Sequence, residues 1–150
     1  MGHSYASNRV HVIFGTKSRN RCLTAELPPR LWAYMAGVAQ QQGFTALIIG
    51  GVEDHVHALI ALPSTMPLSK AIQFLKGSSS KWINDDMATG GDFAWQEGYG
   101  AFSISASHTA HVYRYIRKQR EHHAKRTFEA EFSFCLKKFG IEFDPEHVFA

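Results

Sequence analysis

The order in which strand-like and helix-like segments follow one another is the feature that most constrains the fold of this chain. Four segments have the β-branched and aromatic residues and the flanking turn residues of strands: residues 9–15, 44–49, 55–62 and 93–105. Three segments repeat apolar residues at helical spacing: residues 28–42, 68–83 and 109–125. The first six elements follow the order of a ferredoxin-like split β-α-β fold. We therefore predict an α+β fold with a four-stranded antiparallel sheet, two helices on one face, and an additional third helix.

Local signals set the ends of these elements. Residues 28–29 are both proline, which is tolerated in a first helical turn, and Gly43 is suited to the C-cap of the same helix. The glycine pair at residues 50–51 predicts the turn of a hairpin between the second and third strands. Ser107 is the predicted N-cap of the third helix.

The length of 150 residues predicts a single domain spanning residues 1–150. Its tail, residues 128–150, reads as a short amphipathic segment at 132–139 followed by an extended end. The amino terminus lacks the pattern of a signal peptide, and no apolar run approaches the roughly 20 residues that span a bilayer. We expect a cytoplasmic protein with no membrane partner.

The two cysteines do not suggest a disulfide or a metal site. Cys22 and Cys135 lie far apart and outside any C-x-x-C pair. Inert thiols are the simpler interpretation.

Positive charge is concentrated rather than spread along the chain. The net charge is only +3, but basic residues cluster after the first strand and along the third helix, as expected for a polyphosphate partner. The candidate DNA-binding residues are Lys17, Arg19, Arg21, Arg114, Arg117, Lys118 and Arg120. A solvated helix face and a basic loop would give the same pattern, so charge alone leaves both interpretations open.

A His-Val-His sequence in the third strand is the first candidate for chemistry. Side chains two apart on a strand point to the same face, so His55 and His57 present two imidazoles side by side. Two neutral imidazoles can bind one cation, although histidines also line polar sheet faces without a ligand.

A tyrosine and a glutamine one helical turn apart are the second candidate. Tyr115 and Gln119 are four residues apart in the third predicted helix and share a face. Tyr113 is a weaker candidate because it lies on a different helix face from Gln119. His122 and His123 follow, and we interpret them as DNA-contacting or structural because one helical turn cannot direct both at one ion. His11 on the first strand could face the active site as a donor to a phosphate, but a sheet histidine is the simpler interpretation.

The combination of a His-Val-His strand with the helix sequence Tyr-Ile-Arg-Lys-Gln resembles the single-tyrosine transposases of the HUH endonuclease superfamily, of the small IS200-like insertion-sequence type. The resemblance extends over nearly the whole chain, including residues 10–21, 53–57, 95–102 and 115–123. It implies that His55, His57 and Gln119 bind a divalent metal, Mg²⁺ or Mn²⁺, and that Tyr115 is the catalytic nucleophile.

The same resemblance implies the reaction and the partners. Such enzymes cleave and rejoin single-stranded DNA through a covalent 5′-phosphotyrosine, leave a free 3′ hydroxyl and recognise hairpins at element ends. They work as homodimers in which the tyrosine helix of one subunit can serve the histidines of the other. The chemistry is consistent with these residues, since two imidazoles and an amide are neutral and leave the charge of the metal available to the scissile phosphate.

Two other functions remain open at this stage. One is a non-catalytic nucleic-acid-binding module of RNA-recognition-like fold, whose sheet aromatics would stack bases. Its usual aromatic-rich first strand is missing from residues 10–15. The other is a zinc-dependent hydrolase that uses His55, His57 and a third histidine, with water as the nucleophile.

Overall fold

The structure, a computed structural model, describes residues 2–24, 26–86, 91–123 and 125–149, with only the backbone of Asp86, Arg120 and His122. The strands are β1 (Arg9–Gly15), β2 (Thr45–Val52), β3 (His55–Ala61) and β4 (Gly100–Ile104). The helices are α1 (Leu27–Gln42), α2 (Leu68–Asp86), α3 (Thr109–Arg117), α4 (Gln119–His123) and α5 (Phe128–Lys138), and short 3-10 turns occur at Lys17–Arg19 and Ala106–His108. None of these helices is both long and apolar enough to cross a membrane.

The four strands form one antiparallel sheet in the order β2-β3-β1-β4. This order and the helices between the strands confirm the predicted ferredoxin-like α+β fold. In the central pair, Gly15 lies opposite His55 and Ile13 lies opposite His57. The His-Val-His sequence is therefore at the start of an interior strand, next to the end of β1.

The two faces of the sheet are covered by different helices. Alternate residues of β1 and β3, among them Val12, Phe14, Val56 and Ala58, join the main core with α1 and α2. The opposite face packs against α3 and α5 through two smaller apolar clusters. Because side chains alternate along a strand, His55 and His57 point toward this second face, and Val56 points away from it, as predicted.

Three predicted boundaries need correction. The third helix does not run from 109 to 125: α3 ends at Arg117, Lys118 has a non-helical ψ of 26°, and α4 begins at Gln119. Ser107 lies in a 3-10 turn, and His108 occupies the N-cap position of α3 without a side-chain cap. The fourth strand covers only residues 100–104 of the predicted segment 93–105, the part around residues 101–104 on which the prediction centred it.

The glycine pair at 50–51 lies within β2 instead of forming the hairpin turn. The strand continues to Val52, and the turn falls at residues 53–54. A Cβ atom on Gly50 would lie 2.8 Å from the backbone oxygen of Ile116 in α3. Glycine here therefore allows the tyrosine-bearing helix to approach the sheet closely.

The tail contributes a longer helix than the sequence predicts. α5 begins at Phe128, four residues before the predicted segment, and Thr127 caps it by accepting a hydrogen bond from the backbone N–H of Ala130. A Cβ atom on Gly15 would lie 2.7 Å from the Phe128 ring, so glycine at the end of β1 lets α5 pack on the sheet. This packing brings Glu131 to the histidines of β3.

Candidate active site

The centre of the site is the carboxylate of Glu131, which three histidine rings surround. Glu131 Oε1 lies 2.8 Å from His57 Nε2, 3.0 Å from His123 Nε2 and 3.3 Å from His55 Nε2. His55 and His57 are fully buried, and Glu131 is 1% exposed. A carboxylate buried this deeply requires compensating positive charge or hydrogen bonds, and here it faces three imidazole nitrogens.

A second carboxylate orients the first histidine. His55 Nδ1 lies 2.7 Å from Asp54 Oδ1 and donates to it when the proton is on Nδ1. In that tautomer Nε2 has a free lone pair directed at the cluster. A carboxylate behind a histidine is the arrangement that orients metal-binding imidazoles.

His11 orients the ring of His57, as Asp54 orients that of His55. His11 Nε2 lies 2.8 Å from His57 Nδ1 across the β1–β3 pair. Either ring can donate, so this hydrogen bond persists whether His57 Nε2 carries a proton or a free lone pair. Burial, with a smaller contribution from the neighbouring His57 ring, lowers the pKa of His11 to about 3, so His11 is neutral.

The hydroxyl of Tyr115 belongs to the same cluster. It donates a hydrogen bond to Oε2 of Glu131, the second oxygen of the carboxylate that faces the histidines. The ring centroids of Tyr115 and His57 are 5.8 Å apart. Tyr113, by contrast, is 39% exposed and lines a separate groove with Arg9 and Arg114.

Gln119 reaches the site from the start of α4. Its side chain is buried, its Oε1 lies 3.4 Å from His55 Nε2, and its Nε2 lies 3.5 Å from the backbone oxygen of Tyr115. The irregular residue Lys118 separates Gln119 from α3. Despite this break, the glutamine remains one turn from the tyrosine, and both side chains face the same cluster.

Electrostatics in the cluster keep Glu131 ionised and Tyr115 protonated. Burial opposes ionisation of Glu131, but the facing His57 ring and hydrogen bonds from His123 and His55 hold its pKa well below the ordinary value. Burial and the negative charge of Glu131 raise the pKa of Tyr115 above its usual range. The Tyr115 side chain is therefore a neutral phenol hydrogen-bonded to a carboxylate.

The two histidines of β3 respond in opposite directions. Burial alone would lower the pKa of His55, but its hydrogen bonds with Asp54 and Glu131 raise it. Burial dominates at His57 and lowers its pKa despite the attraction of Glu131. His55 is thus the ring that more readily holds a proton, and His57 is a neutral base.

The donor atoms meet the requirements of a divalent metal site. One ligand atom each from His55, His57, His123 and Glu131 lies within 4.8 Å of the others. Three imidazoles and one carboxylate form a set that Zn²⁺ and Mn²⁺ accept, and the Gln119 oxygen is near enough to join it. The cluster brings together all four predicted site residues, His55, His57, Gln119 and Tyr115.

The predicted DNA-binding residues surround this site on several surfaces. Arg19 and Arg21 border a groove that also contains Asp54 and His123. Arg117 and Lys118 line another groove next to Gln119, and Arg114 lines a third. Lys17 is exposed in the turn after β1, and the side chain of Arg120 lies outside the described part of the chain.

Arg19 and Arg21 each form an ion pair with a glutamate. Arg19 Nε lies 2.6 Å from Glu129 Oε1 on α5, and its guanidinium lies 5.1 Å from the ring centre of Phe149. Arg21 lies 3.7 Å from Glu53. A phosphate at this surface would compete with these acidic partners.

Sequence reasoning missed Glu131, His123 and the contact made by His11. Glu131 could have been found, because Phe128, Phe132 and Leu136 form an apolar stripe at helical spacing and Glu131 is a charged residue within it. On the sequence alone we interpret His123, like His122, as DNA-contacting or structural and not as a metal ligand. The break at Lys118 changes the direction of α4, and the His123 ring turns into the cluster.

The cysteines behave as predicted. Cys22 and Cys135 are free thiols. Burial raises the pKa of both, that of Cys135 to about 11, so both are protonated at neutral pH. Neither is among the residues around Glu131 that could hold a metal.

A comparison with known families identifies the class of protein. Residues 4–119 match the sequence model of the family described as "Transposase IS200 like". The match contains the His-Val-His strand and ends at Gln119. The chain belongs to the IS200-like transposase family, a family of DNA transposases.

Individual relatives agree with this assignment. The chain is 24% identical over 117 residues to the ISDra2 transposase TnpA of Deinococcus radiodurans, covering 74% of this chain and 83% of that protein. It is 23% identical over 129 residues to the transposase for insertion sequence element IS200 of Salmonella typhimurium, covering 81% of this chain and 82% of that protein.

Two solved structures share the fold. A putative transposase from Deinococcus radiodurans has a TM-score of 0.63 at 24% identity, covering 79% of this chain and 96% of that one. A REP-associated tyrosine transposase bound to a REP hairpin has a TM-score of 0.59 at 16% identity, covering 82% of this chain and 73% of that one. Glu131 lies beyond the matched residues, in α5.

Proposed function

We propose that this transposase cleaves and rejoins single-stranded DNA through a covalent 5′-phosphotyrosine formed on Tyr115. The observation that supports it most is the Tyr115 hydroxyl, held against a buried carboxylate that three histidines surround. A tyrosine in an ordinary apolar core has no such partner. Loss of the covalent adduct in a Tyr115→Phe variant is the test of this proposal.

The proposed reaction is a single exchange of phosphodiester oxygens. The Tyr115 oxygen attacks the scissile phosphorus, the bond from phosphorus to the 3′ oxygen breaks, and that oxygen leaves as a 3′ hydroxyl after taking up a proton. The phenolic proton passes by way of Glu131 Oε2, which already accepts its hydrogen bond, to water. The departing 3′ oxygen takes its proton from water, so Glu131 ends the step as a carboxylate. Attack of a 3′ hydroxyl on the phosphotyrosine reverses these steps and rejoins the strand without a nucleotide cofactor.

We further propose that a divalent metal ion, Mg²⁺ or Mn²⁺, binds at the cluster. His55, His57 and Gln119 would hold it together with His123 and Glu131, whose donor atoms converge on the same volume. The ion would supply positive charge to the phosphate and to the ionising phenol. Asp54 and His11 would keep the rings of His55 and His57 oriented, since each hydrogen-bonds to the Nδ1 atom away from the cluster.

A zinc-dependent hydrolase is the second candidate, and one specific observation favours it. His123 supplies the third histidine that such a site needs, and Glu131 supplies a carboxylate. This candidate predicts cleavage by water with no covalent adduct. The direct contact of Tyr115 with Glu131 favours the tyrosine mechanism instead.

The partners of the proposed enzyme are single-stranded DNA with hairpin ends and a second copy of the chain. The solved relative with a REP hairpin supports the first of these. For the homodimer, the open question is whether the tyrosine serves its own chain. Within one chain Tyr115 already contacts the Glu131 that faces His55 and His57, so we propose that it acts on the site of its own subunit.

Mixing two inactive variants tests this arrangement. A mixture of the Tyr115→Phe protein and the His57→Ala protein should form no more adduct than either protein alone. If the tyrosine serves its own chain, every site in the mixture lacks one essential group. Adduct formation on an oligonucleotide is read on a denaturing gel, and size-exclusion chromatography with light scattering reports the oligomer. Restored adduct on the His57→Ala chain would mean that the tyrosine serves the partner subunit.

The basic residues after Tyr115 should contribute to DNA affinity without sequence preference. Removing the charges of Arg117 and Lys118 together should weaken binding of single-stranded DNA and reduce the slope of log affinity against log salt by about 0.7 for each lost phosphate contact. The matched control is Lys70→Ala with Lys81→Ala, an equal loss of charge on α2 at the opposite face of the sheet. Equal slopes in both double variants would assign Arg117 and Lys118 to an ordinary solvated surface.

A further inference from the structure

A pocket opens next to Tyr115. It lies between α3, α5 and the sheet, has a volume of 490 Å³, and includes both Tyr115 and His11 in its wall. Sites for small molecules typically occupy about 300–1,000 Å³. We call it the α3–α5 pocket.

The walls of the α3–α5 pocket carry aromatic surfaces. Phe102 of β4 is one of its lining residues, and the ring centroids of Phe102 and Phe139 are 4.7 Å apart. Phe139 is itself 45% exposed. Phe134 is 53% exposed on the α5 side. Solvent-facing phenylalanines that line a concave site offer flat surfaces on which a planar ring can stack.

The polar part of the lining is entirely basic or neutral. Lys125, Arg126 and Lys138 stand among the lining residues, and no aspartate or glutamate is among those described. The Arg126 guanidinium lies 5.0 Å from the ring centre of Phe134, so charge and aromatic surface are adjacent. Cations beside exposed aromatic rings match a ligand that has both a phosphate and a planar base.

α5 builds one whole side of this pocket, and it lies beyond the part of the chain that matches the family. The same helix carries Glu131 into the active site, so the pocket and the nucleophile have a fixed relative position. A strand whose phosphate reached the Tyr115 oxygen would have its neighbouring nucleotide at the pocket mouth.

We propose that the α3–α5 pocket binds an unpaired nucleotide of single-stranded DNA next to the phosphate that Tyr115 attacks, its base stacked on Phe139 and its phosphate near Lys138. This inference rests on the proposed function for the position of the scissile phosphate. Binding of the nucleotide itself requires no catalysis, so the two can be tested separately.

The experiment measures how much the bases, as distinct from the phosphates, contribute to binding. Fluorescence anisotropy compares the affinity for a 15-nucleotide oligothymidylate with that for an abasic oligomer of the same length, both in EDTA so that no cleavage occurs. In the wild-type chain the bases should strengthen binding, and Phe139→Ala should reduce this advantage by about 5- to 150-fold, the range for one stacked base. Tyr113→Ala, which removes a similarly exposed aromatic ring outside the pocket, should leave the advantage unchanged.

A pair of lysines on one helix tests the phosphate contact. Lys138 lines the pocket, and Lys137, its exposed neighbour on α5, does not. Lys138→Ala should weaken binding of both oligomers several-fold more than Lys137→Ala. Circular dichroism checks that each variant folds. If Phe139→Ala does not fold, the comparison of the two lysine variants still decides the outcome.

Two results would overturn the proposal: an unchanged base advantage in folded Phe139→Ala, or equal effects of the two lysine variants. Either result with a normal Tyr115 adduct in the wild-type chain would reject the pocket and leave the proposed function standing. The expected binding results without any adduct would reject the tyrosine mechanism and keep the nucleotide site.

Discussion

Tyr115→Phe is expected to abolish the covalent protein–DNA adduct, a loss of more than about a thousand-fold, because it removes the oxygen that we propose forms the bond to phosphorus. Folding and DNA binding should change little, since the ring and its packing remain. The assay incubates labelled single-stranded DNA from both flanks of the gene with Mn²⁺ and detects the adduct on a denaturing gel.

Tyr113→Phe is the matched control. Tyr113 lies on the same helix, is exposed, and is among the residues of a different groove, so its variant should keep most of the activity. An adduct that persisted in Tyr115→Phe and vanished in Tyr113→Phe would reassign the nucleophile. DNA cleavage by both variants with no adduct in any form would instead support the hydrolase, with water as the attacking group.

Strong local patterns explain why the fold could be predicted from the sequence. The alternation in β1 and β3 separates Val56 from His55 and His57, and the structure places them on opposite faces of the sheet. The proline pair at 28–29 and Gly43 set the ends of α1, where Gly43 adopts a φ of 89°. These signals depend on neighbouring residues only.

The glycine pair at 50–51 shows where local patterns mislead. Two adjacent glycines favour a turn, but here Gly50 lies in a strand. Glycine is needed there because the backbone of Ile116, far along the chain, comes so close that a side chain at position 50 would clash with it. The break of the third helix at Lys118 likewise has no proline or glycine to announce it. Both features depend on how α3 packs on the sheet.

The candidate site was half predictable for the same reason. His55 and His57 are two residues apart on a strand, and Tyr115 and Gln119 are one helical turn apart. Each spacing places both members of the pair on the same face of the element. Glu131 and His123 meet these residues only through the packing of α5 and the turn into α4, which Gly15 and Phe128 permit at close range. The sequence signal for Glu131 is a charged residue within the apolar stripe of α5. It can be recognised only if the helix is predicted to begin at Phe128.

The carboxylate of Glu131 also changes the expected charge of the site. A metal held by two imidazoles and an amide would keep its full double charge, whereas Glu131 reduces the net charge of the same cluster by one. The same carboxylate raises the pKa of Tyr115 as long as no cation offsets it. Binding of a divalent ion should therefore favour both the ionised carboxylate and the ionised phenol.

Replacing both His55 and His57 with Ala is expected to abolish metal binding and cleavage together, because the two fully buried imidazoles are the central donors. Gln119→Ala should weaken Mn²⁺ binding by about 10- to 100-fold, since its oxygen lies at the edge of the cluster, 3.4 Å from His55 Nε2. Excess Mn²⁺ should partly restore cleavage by Gln119→Ala but not by the double histidine variant, since mass action can refill a weakened site only.

Glu131→Gln separates the carboxylate from the shape of the side chain. It keeps the length and one carbonyl oxygen but loses the charge that faces three imidazoles, so it should weaken Mn²⁺ binding more than Gln119→Ala does. Glu129→Gln is its control, an equal loss of charge two residues earlier on α5, in a carboxylate that contacts Arg19. Calorimetric titration of Mn²⁺ into the four variants, beside the cleavage assay, measures both effects. Wild-type affinity in Glu131→Gln would show that Glu131 neutralises the histidines without binding the metal, and wild-type affinity in Gln119→Ala would show that α4 supplies no ligand through its glutamine.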